Sequence, residues 1–126
     1  RRQTIKVAKR DPNSVLTTYK VDVNTSDVKN AGTDANVHIQ IFGASGSSGV
    51  IKLANSKNNF ERASEDTFSL SKLPNVGAIT HIVVGHDDSY LSPAWHLAQV
   101  RVFNMATGES VTFPADTWIA KDEERQ

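Results

Sequence analysis

Cysteine is absent from the 126-residue chain, which excludes disulfides, thiolate metal sites and cysteine nucleophiles. Charge of one sign is also missing in excess: 14 Lys and Arg stand against 14 Asp and Glu. A surface built to grip nucleic acid needs a clear basic surplus, so nucleic acid is not an expected partner. No apolar run approaches the roughly 18–20 residues of a membrane-spanning helix. No segment carries the 3.6-residue period of an amphipathic helix, and no internal repeat is visible. A signal-peptide pattern is lacking too, since Arg1, Arg2, Lys6, Lys9 and Arg10 crowd the first ten residues. Without an initiator Met, the chain is expected to be a piece of a longer one. The lack of cysteine leans towards a cytoplasmic setting, but the location of the parent protein is otherwise unknown from sequence.

What is present reads as one folded domain: 38% hydrophobic and 22% charged residues are ordinary for a globular protein of this size. Residues 1–16 are basic and broken by Asp11-Pro12-Asn13, the pattern of a linker, and residues 122–126 are a charged tail. Between them, residues 17–121 alternate apolar and polar side chains in short runs. Tyr19, Val21 and Val23 face one side, and Val37, Ile39 and Ile41 repeat the pattern. Further runs fall at 50–53, 67–70, 79–84, 97–103, 110–113 and 117–119. The glycine- and serine-rich stretch 43–49 reads as a flexible turn, and Thr107-Gly108 as a hairpin turn. About eight short strands with turns at regular spacing predict an all-β antiparallel β-sandwich.

Chemistry concentrates in two loops. Asn30-Ala31-Gly32-Thr33-Asp34 and Gly85-His86-Asp87-Asp88 each place amide, carbonyl and carboxylate oxygens at a strand end, which is what calcium requires. A plainer reading stands beside it. Gly32 supplies a positive φ, Asn30 and Asp34 make Asx turns, and Asp87 and Asp88 are a solvated pair. Tyr90 and Leu91 follow in the second loop, either as a membrane-contact tip with the tyrosine hydroxyl kept wet, or as surface and core-capping residues. Trp95 and Trp118 read as core or edge packing. His38, His81, His86 and His96 lack zinc-ligand spacing, with His38 and His96 expected to hydrogen-bond at the sheet surface. The serines lack the constrained turn of a nucleophile, so no enzyme activity is expected.

The order of these motifs resembles the PLAT (lipoxygenase homology, LH2) family. The resemblance is carried by Tyr19-x-Val21-x-Val23-x-Thr25, Asn30 to Val37, Ile41-Phe42-Gly43, Phe60-Glu61-Arg62, Asp66-x-Phe68, Gly85-His86-Asp87, Ser92 to Leu97, and Phe113-Pro114 with Trp118-Ile119-Ala120. It covers residues 17–121 and is closest in character to PLAT domains arranged in tandem. It implies a non-catalytic module that targets membrane lipid or a protein partner beside neighbouring domains of the same chain, often with calcium and with no organic cofactor. By this resemblance Asp87 and Asp88 complete a calcium site with Asn30, Gly32 and Asp34. A second, weaker metal loop would lie at Asn55 and Asn59, where neutral amides hold calcium poorly. Few charges on flexible loops point to an affinity of about 10⁻⁴–10⁻³ M. The rival expectation is a calcium-independent protein-interaction scaffold.

Overall fold

Ten residues that alternate almost without error build the central strand. Strand β1 (Leu16–Thr25) buries Thr17, Tyr19, Val21, Val23 and Thr25 and turns Lys20, Asp22 and Asn24 outward, because successive strand side chains point to opposite faces. The computed structural model describes residues 3, 16–87 and 94–120. Among them the remaining strands are β2 (Val37–Gly43), β3 (Gly46–Lys52), β4 (Glu65–Pro74), β5 (Ile79–His86), β6 (Ala94–Asn104) and β7 (Ser110–Ala120). They form two antiparallel sheets, one ordered β4-β1-β6-β7 and the other β3-β2-β5.

The sandwich is therefore the expected one, with seven strands among the described residues. The runs at 110–113 and 117–119 are one strand, β7, because β6 is long enough to pair with both. A one-residue bulge separates the two halves: Gln99 pairs with Pro114, Leu97 pairs with Thr117, and Asp116 takes φ 47°. The stretch 43–49 is also more ordered than its composition suggests. Only Ala44 and Ser45 turn, Gly43 pairs with Gly46, and Gly46 to Ser48 already belong to β3.

The core lies between the sheets. Tyr19, Val21, Val23, Val100 and Val102 from one meet Val37, Ile39 and Ile41 from the other, with Trp95, Phe60 and Phe68 filling the loop end. Phe60 stacks on Phe68 at 5.6 Å and meets Trp95 edge-on at 5.4 Å, the offset and T-shaped geometries aromatic quadrupoles favour. At the opposite end buried polar groups bond to one another, with the Asn75 Nδ2 left without a partner among the described residues. The Tyr19 hydroxyl accepts the Val76 N–H at 2.9 Å, and Asn104 donates to Asn75 Oδ1 while accepting from Thr17 Oγ1 and the Ala106 N–H. Burial holds the Tyr19 phenol above its ordinary pKa, Glu109 adds to the rise, and the Val76 N–H opposes it.

This strand order sorts the connections. The β1–β2, β3–β4 and β5–β6 loops all leave the same end of the sandwich, and β7 finishes there.

Candidate functional site

At that end the β1–β2 loop is the hub. Gly32 is not in the left-handed region; Asn30 is, at φ 64°. This corrects the expected role of the glycine. Its reason is a close approach: a Cβ there would lie 3.0 Å from both the Phe60 carbonyl oxygen and the Arg62 nitrogen, and 3.3 Å from the Glu61 Cα. The missing side chain lets the β1–β2 loop lie flat on the β3–β4 loop. Three contacts then stitch them. The Thr33 N–H donates to Phe60 O at 2.9 Å, the Ala63 N–H donates to Ser26 O at 3.1 Å, and Arg62 pairs with Asp27 at 2.9 Å.

The same hub reaches the β5–β6 side. The Asn36 N–H donates to Asp87 Oδ1 at 3.0 Å and its side-chain amide donates to Oδ2 at 2.7 Å, while the Asp87 N–H returns a bond to Asn36 O. The His96 N–H donates to Ala31 O at 3.0 Å, and the Ser26 N–H donates to His96 O. Asp34 and Asp87 both remain exposed. Buried His86, just before Asp87, donates from Nε2 to the Ile119 carbonyl at 2.7 Å and so ties β5 to the facing sheet.

These loops and this sheet order have relatives. The model of the PLAT/LH2 domain family matches residues 19–126. The chain belongs to the PLAT/LH2 family. It is similar to mouse lipoxygenase homology domain-containing protein 1, 43% identical over 109 residues that are 85% of this chain and 5% of that protein. It also resembles human polycystin-1-like protein 3, 33% identical over 95% of this chain and 7% of that one. The chain thus spans a small fraction of these much longer relatives. Among solved structures, coral 8R-lipoxygenase, described as calcium-activated through a C2-like domain, matches with a TM-score of 0.77 and 32% identity over 82% of this chain and 16% of that chain.

In this PLAT domain the structure brings Asn30, Gly32 and Asp34 into the hub loop and joins Asp87 to that loop through Asn36. Asn36 stood in the motif Asn30 to Val37 but without a site role of its own. It is the partner of the Asp87 carboxylate. Asp88, Tyr90 and Leu91 lie outside the described residues. Among the described residues no three His, Cys, Asp or Glu side chains come together. Asn55 and Asn59 do converge: Asn55 Oδ1 accepts from the Lys57 N–H and from the Asn59 amide, both at 2.8 Å. The Asn59 Oδ1 is buried with no hydrogen-bond partner. Glu61 enters the same loop by accepting the Asn58 amide at 2.6 Å, so an acid is closer than the run 55–59 suggests.

Among the described residues two large apolar side chains stand exposed at this end, Val28 in the hub loop and Trp118 near the end of β7. Trp95 is core, its indole N–H donating to Thr25 Oγ1. Trp118 is instead 49% exposed and rests edge-on against His96 at 4.8 Å. His96 in turn is hydrogen-bonded through Nδ1 to the Ser26 hydroxyl at 2.6 Å. Trp118 is exposed because β7 is the edge strand of its sheet, an order that the sequence did not reveal.

Proposed function

We propose that this PLAT domain is a non-catalytic targeting module that docks its loop end on a membrane lipid surface with the help of calcium. It would act as a peripheral membrane element of a longer protein. The observation that carries the reading is that the β1–β2 loop is stitched both to the β3–β4 loop and to Asp87 at the end of β5. Two exposed carboxylates, Asp34 and Asp87, thus share one end of the sandwich with the exposed Trp118 of β7.

The donor set suits a hard cation. Asn30, Gly32, Asp34 and Asp87 offer only oxygens, Asp88 adds one more by family resemblance, and the partnerless Asn59 Oδ1 marks the second loop as short of a donor. Calcium held there would neutralise the carboxylates and bridge to lipid phosphate. Val28 and Trp118 supply the apolar contact, the tryptophan with its indole N–H still able to face water. The coral lipoxygenase supports this reading because its C2-like domain is described as the route of calcium activation.

A second reading has its own observation. Both oxygens of Asp87 already accept bonds from Asn36, so the loops are closed without an ion. A calcium-independent protein-interaction scaffold needs nothing more. Thermal stability in EGTA and across a calcium titration, with magnesium as control, separates the two. A ligand that binds only the folded state adds about 2.7 kcal/mol at a hundredfold excess over its dissociation constant. A calcium-specific rise that Asp87→Asn removes, together with calcium-dependent co-sedimentation on anionic vesicles, supports the targeting reading. An unchanged melting point at millimolar calcium leaves the scaffold.

A further inference from the structure

His96 brings to the loop end a titratable side chain that neither the core nor the candidate cation site uses. It lies opposite Trp118 in the β6–β7 register, and its ring meets the indole edge-on at 4.8 Å. On its other side the hub loop closes on it. Nδ1 lies 2.6 Å from the Ser26 hydroxyl, the Ser26 N–H donates to the His96 carbonyl, and the His96 N–H donates to Ala31 O. The imidazole is thus gripped between the hub loop and β7, with 12% of its side chain exposed. The Trp118 indole has no other ring or hydrogen-bond partner among the described residues.

The bulge in β7 adds a charge to this pair. Asp116, at φ 47°, brings a carboxylate oxygen to 4.0 Å from His96 Nε2, while its own side chain stays in solvent. The hub loop faces the ring with the Ser26 hydroxyl, and the next acid in that loop, Asp27, is paired with Arg62. Strand β7 faces it with Asp116 and Trp118, and the residues two positions away along β6 are Ala94 and Ala98. Among the described residues Asp116 is therefore the one carboxylate that reaches His96. The ring can be neutral or charged without losing a bond. A serine hydroxyl both donates and accepts, so Ser26 donates to a bare Nδ1 and, by rotating, accepts from a protonated one. Protonation then sets a full positive charge between the Asp116 carboxylate and the Trp118 indole.

We propose that His96 is the positioning residue of the membrane contact: it holds the Trp118 indole at the loop end and, when protonated, cancels the Asp116 charge beside it. This rests on the targeting reading given above. With the ring neutral, Trp118 stands next to an exposed carboxylate that an anionic lipid surface repels. Protonation removes that repulsion at the place where the indole enters the interface. Histidine side chains change charge between about pH 5 and 8, so docking on anionic lipid should strengthen in mildly acidic solution. One added positive charge near an anionic surface corresponds to about a fivefold gain in affinity. Uncharged lipid should give little of that gain.

The test has two arms. In the free protein, Trp118 fluorescence is followed from about pH 8 to pH 5, with Trp118→Phe supplying the background of buried Trp95. Emission should change with pH in the wild type, because a charge appears beside the indole. His96→Phe keeps a ring against Trp118 but takes no proton, so its emission should stay flat. The second arm uses phosphatidylserine–phosphatidylcholine vesicles at saturating calcium, with pure phosphatidylcholine as control. Wild type should bind about fivefold tighter at about pH 5.5 than at about pH 7.5. His96→Phe should keep the neutral-pH affinity and lose that gain, while His96→Ala should bind more weakly at both values. Trp118 emission that ignores His96 overturns the proposal, as does a pH gain that survives His96→Phe or wild-type binding by His96→Ala. Each of these leaves the targeting reading standing. A wild type that binds no vesicles at any pH sinks the targeting reading, and this proposal falls with it whatever the emission does.

Discussion

Replacing Gly32 by Ala is the sharpest test of how the loop end is built. The added methyl carbon would lie 3.0 Å from the Phe60 oxygen and the Arg62 nitrogen and 3.3 Å from the Glu61 Cα. All three are backbone atoms, so no side chain can swing aside and the β3–β4 loop itself must move. Overpacking of this kind costs about 1–3 kcal/mol. The same movement stretches the 2.9 Å bond from the Thr33 N–H to Phe60 O, and loss of a typical hydrogen bond adds about 0.5–1.5 kcal/mol. A total of about 1.5–4.5 kcal/mol corresponds to roughly 6–18 °C in melting temperature for a domain of this size. Differential scanning calorimetry measures it directly. Gly108→Ala is the control, because nothing lies within 4 Å of its Cβ position and only its φ of 81° is strained. If Gly32→Ala melts within about 2 °C of wild type, or no lower than the control, the two loops are not held by close approach. The hub description is then wrong.

Further outcomes follow from the same geometry. Asn104→Ala removes the acceptor of Thr17 and Ala106 and a donor to Asn75 at a fully buried site, and should cost about 2–4 kcal/mol by denaturant unfolding. Trp118→Ala should lower vesicle binding in calcium several-fold while shifting the melting point by no more than about 3 °C, since the ring is half exposed. Arg62→Ala, by contrast, should change stability by under about 1 kcal/mol, because its ion pair with Asp27 is solvent-exposed. The Tyr19 phenol is held above its ordinary value in the fold, so the native state keeps that proton longer than the unfolded chain. Its contribution is complete below about pH 10 and is lost as pH rises through the folded value. The stability advantage of wild type over Tyr19→Phe should therefore shrink above about pH 10, and a constant difference would refute the assignment.

The sheets were legible in sequence because period-2 alternation is itself the consequence of having one buried face. Tyr19, Val21 and Val23, like Val37, Ile39 and Ile41, declare their inward side without any tertiary information. Continuity was less legible. A proline and an aspartate divide β7 in sequence, yet an edge strand tolerates Pro114, and a bulge absorbs Asp116. Nor does the composition of residues 43–49 reveal that β2 supplies paired backbone up to Gly43.

At the candidate site the sequence marked residues but not their partners. Asp87 was visible as an acid at a strand end; that Asn36, 51 positions away, engages both its oxygens is a product of β2 lying beside β5. Gly32 was visible as a glycine in a turn. Its cause, the Phe60–Arg62 backbone pressing against it, comes from a loop nearly thirty residues later. Phe60-Glu61-Arg62 looked like a fold signature and is one: Phe60 fills the core, and its carbonyl anchors the hub loop. Long-range pairing chooses between alternatives that local chemistry leaves level.

The loop end offers charge and unsatisfied oxygen, so its response should track calcium and weaken with salt where anionic lipid is involved. Raising ionic strength therefore divides the two readings of that end. If vesicle binding falls, the hub carboxylates take part through an ion or through charge. If it does not fall, membrane contact rests on Val28 and Trp118 alone, and the carboxylates of the hub serve to close the loops rather than to hold an ion.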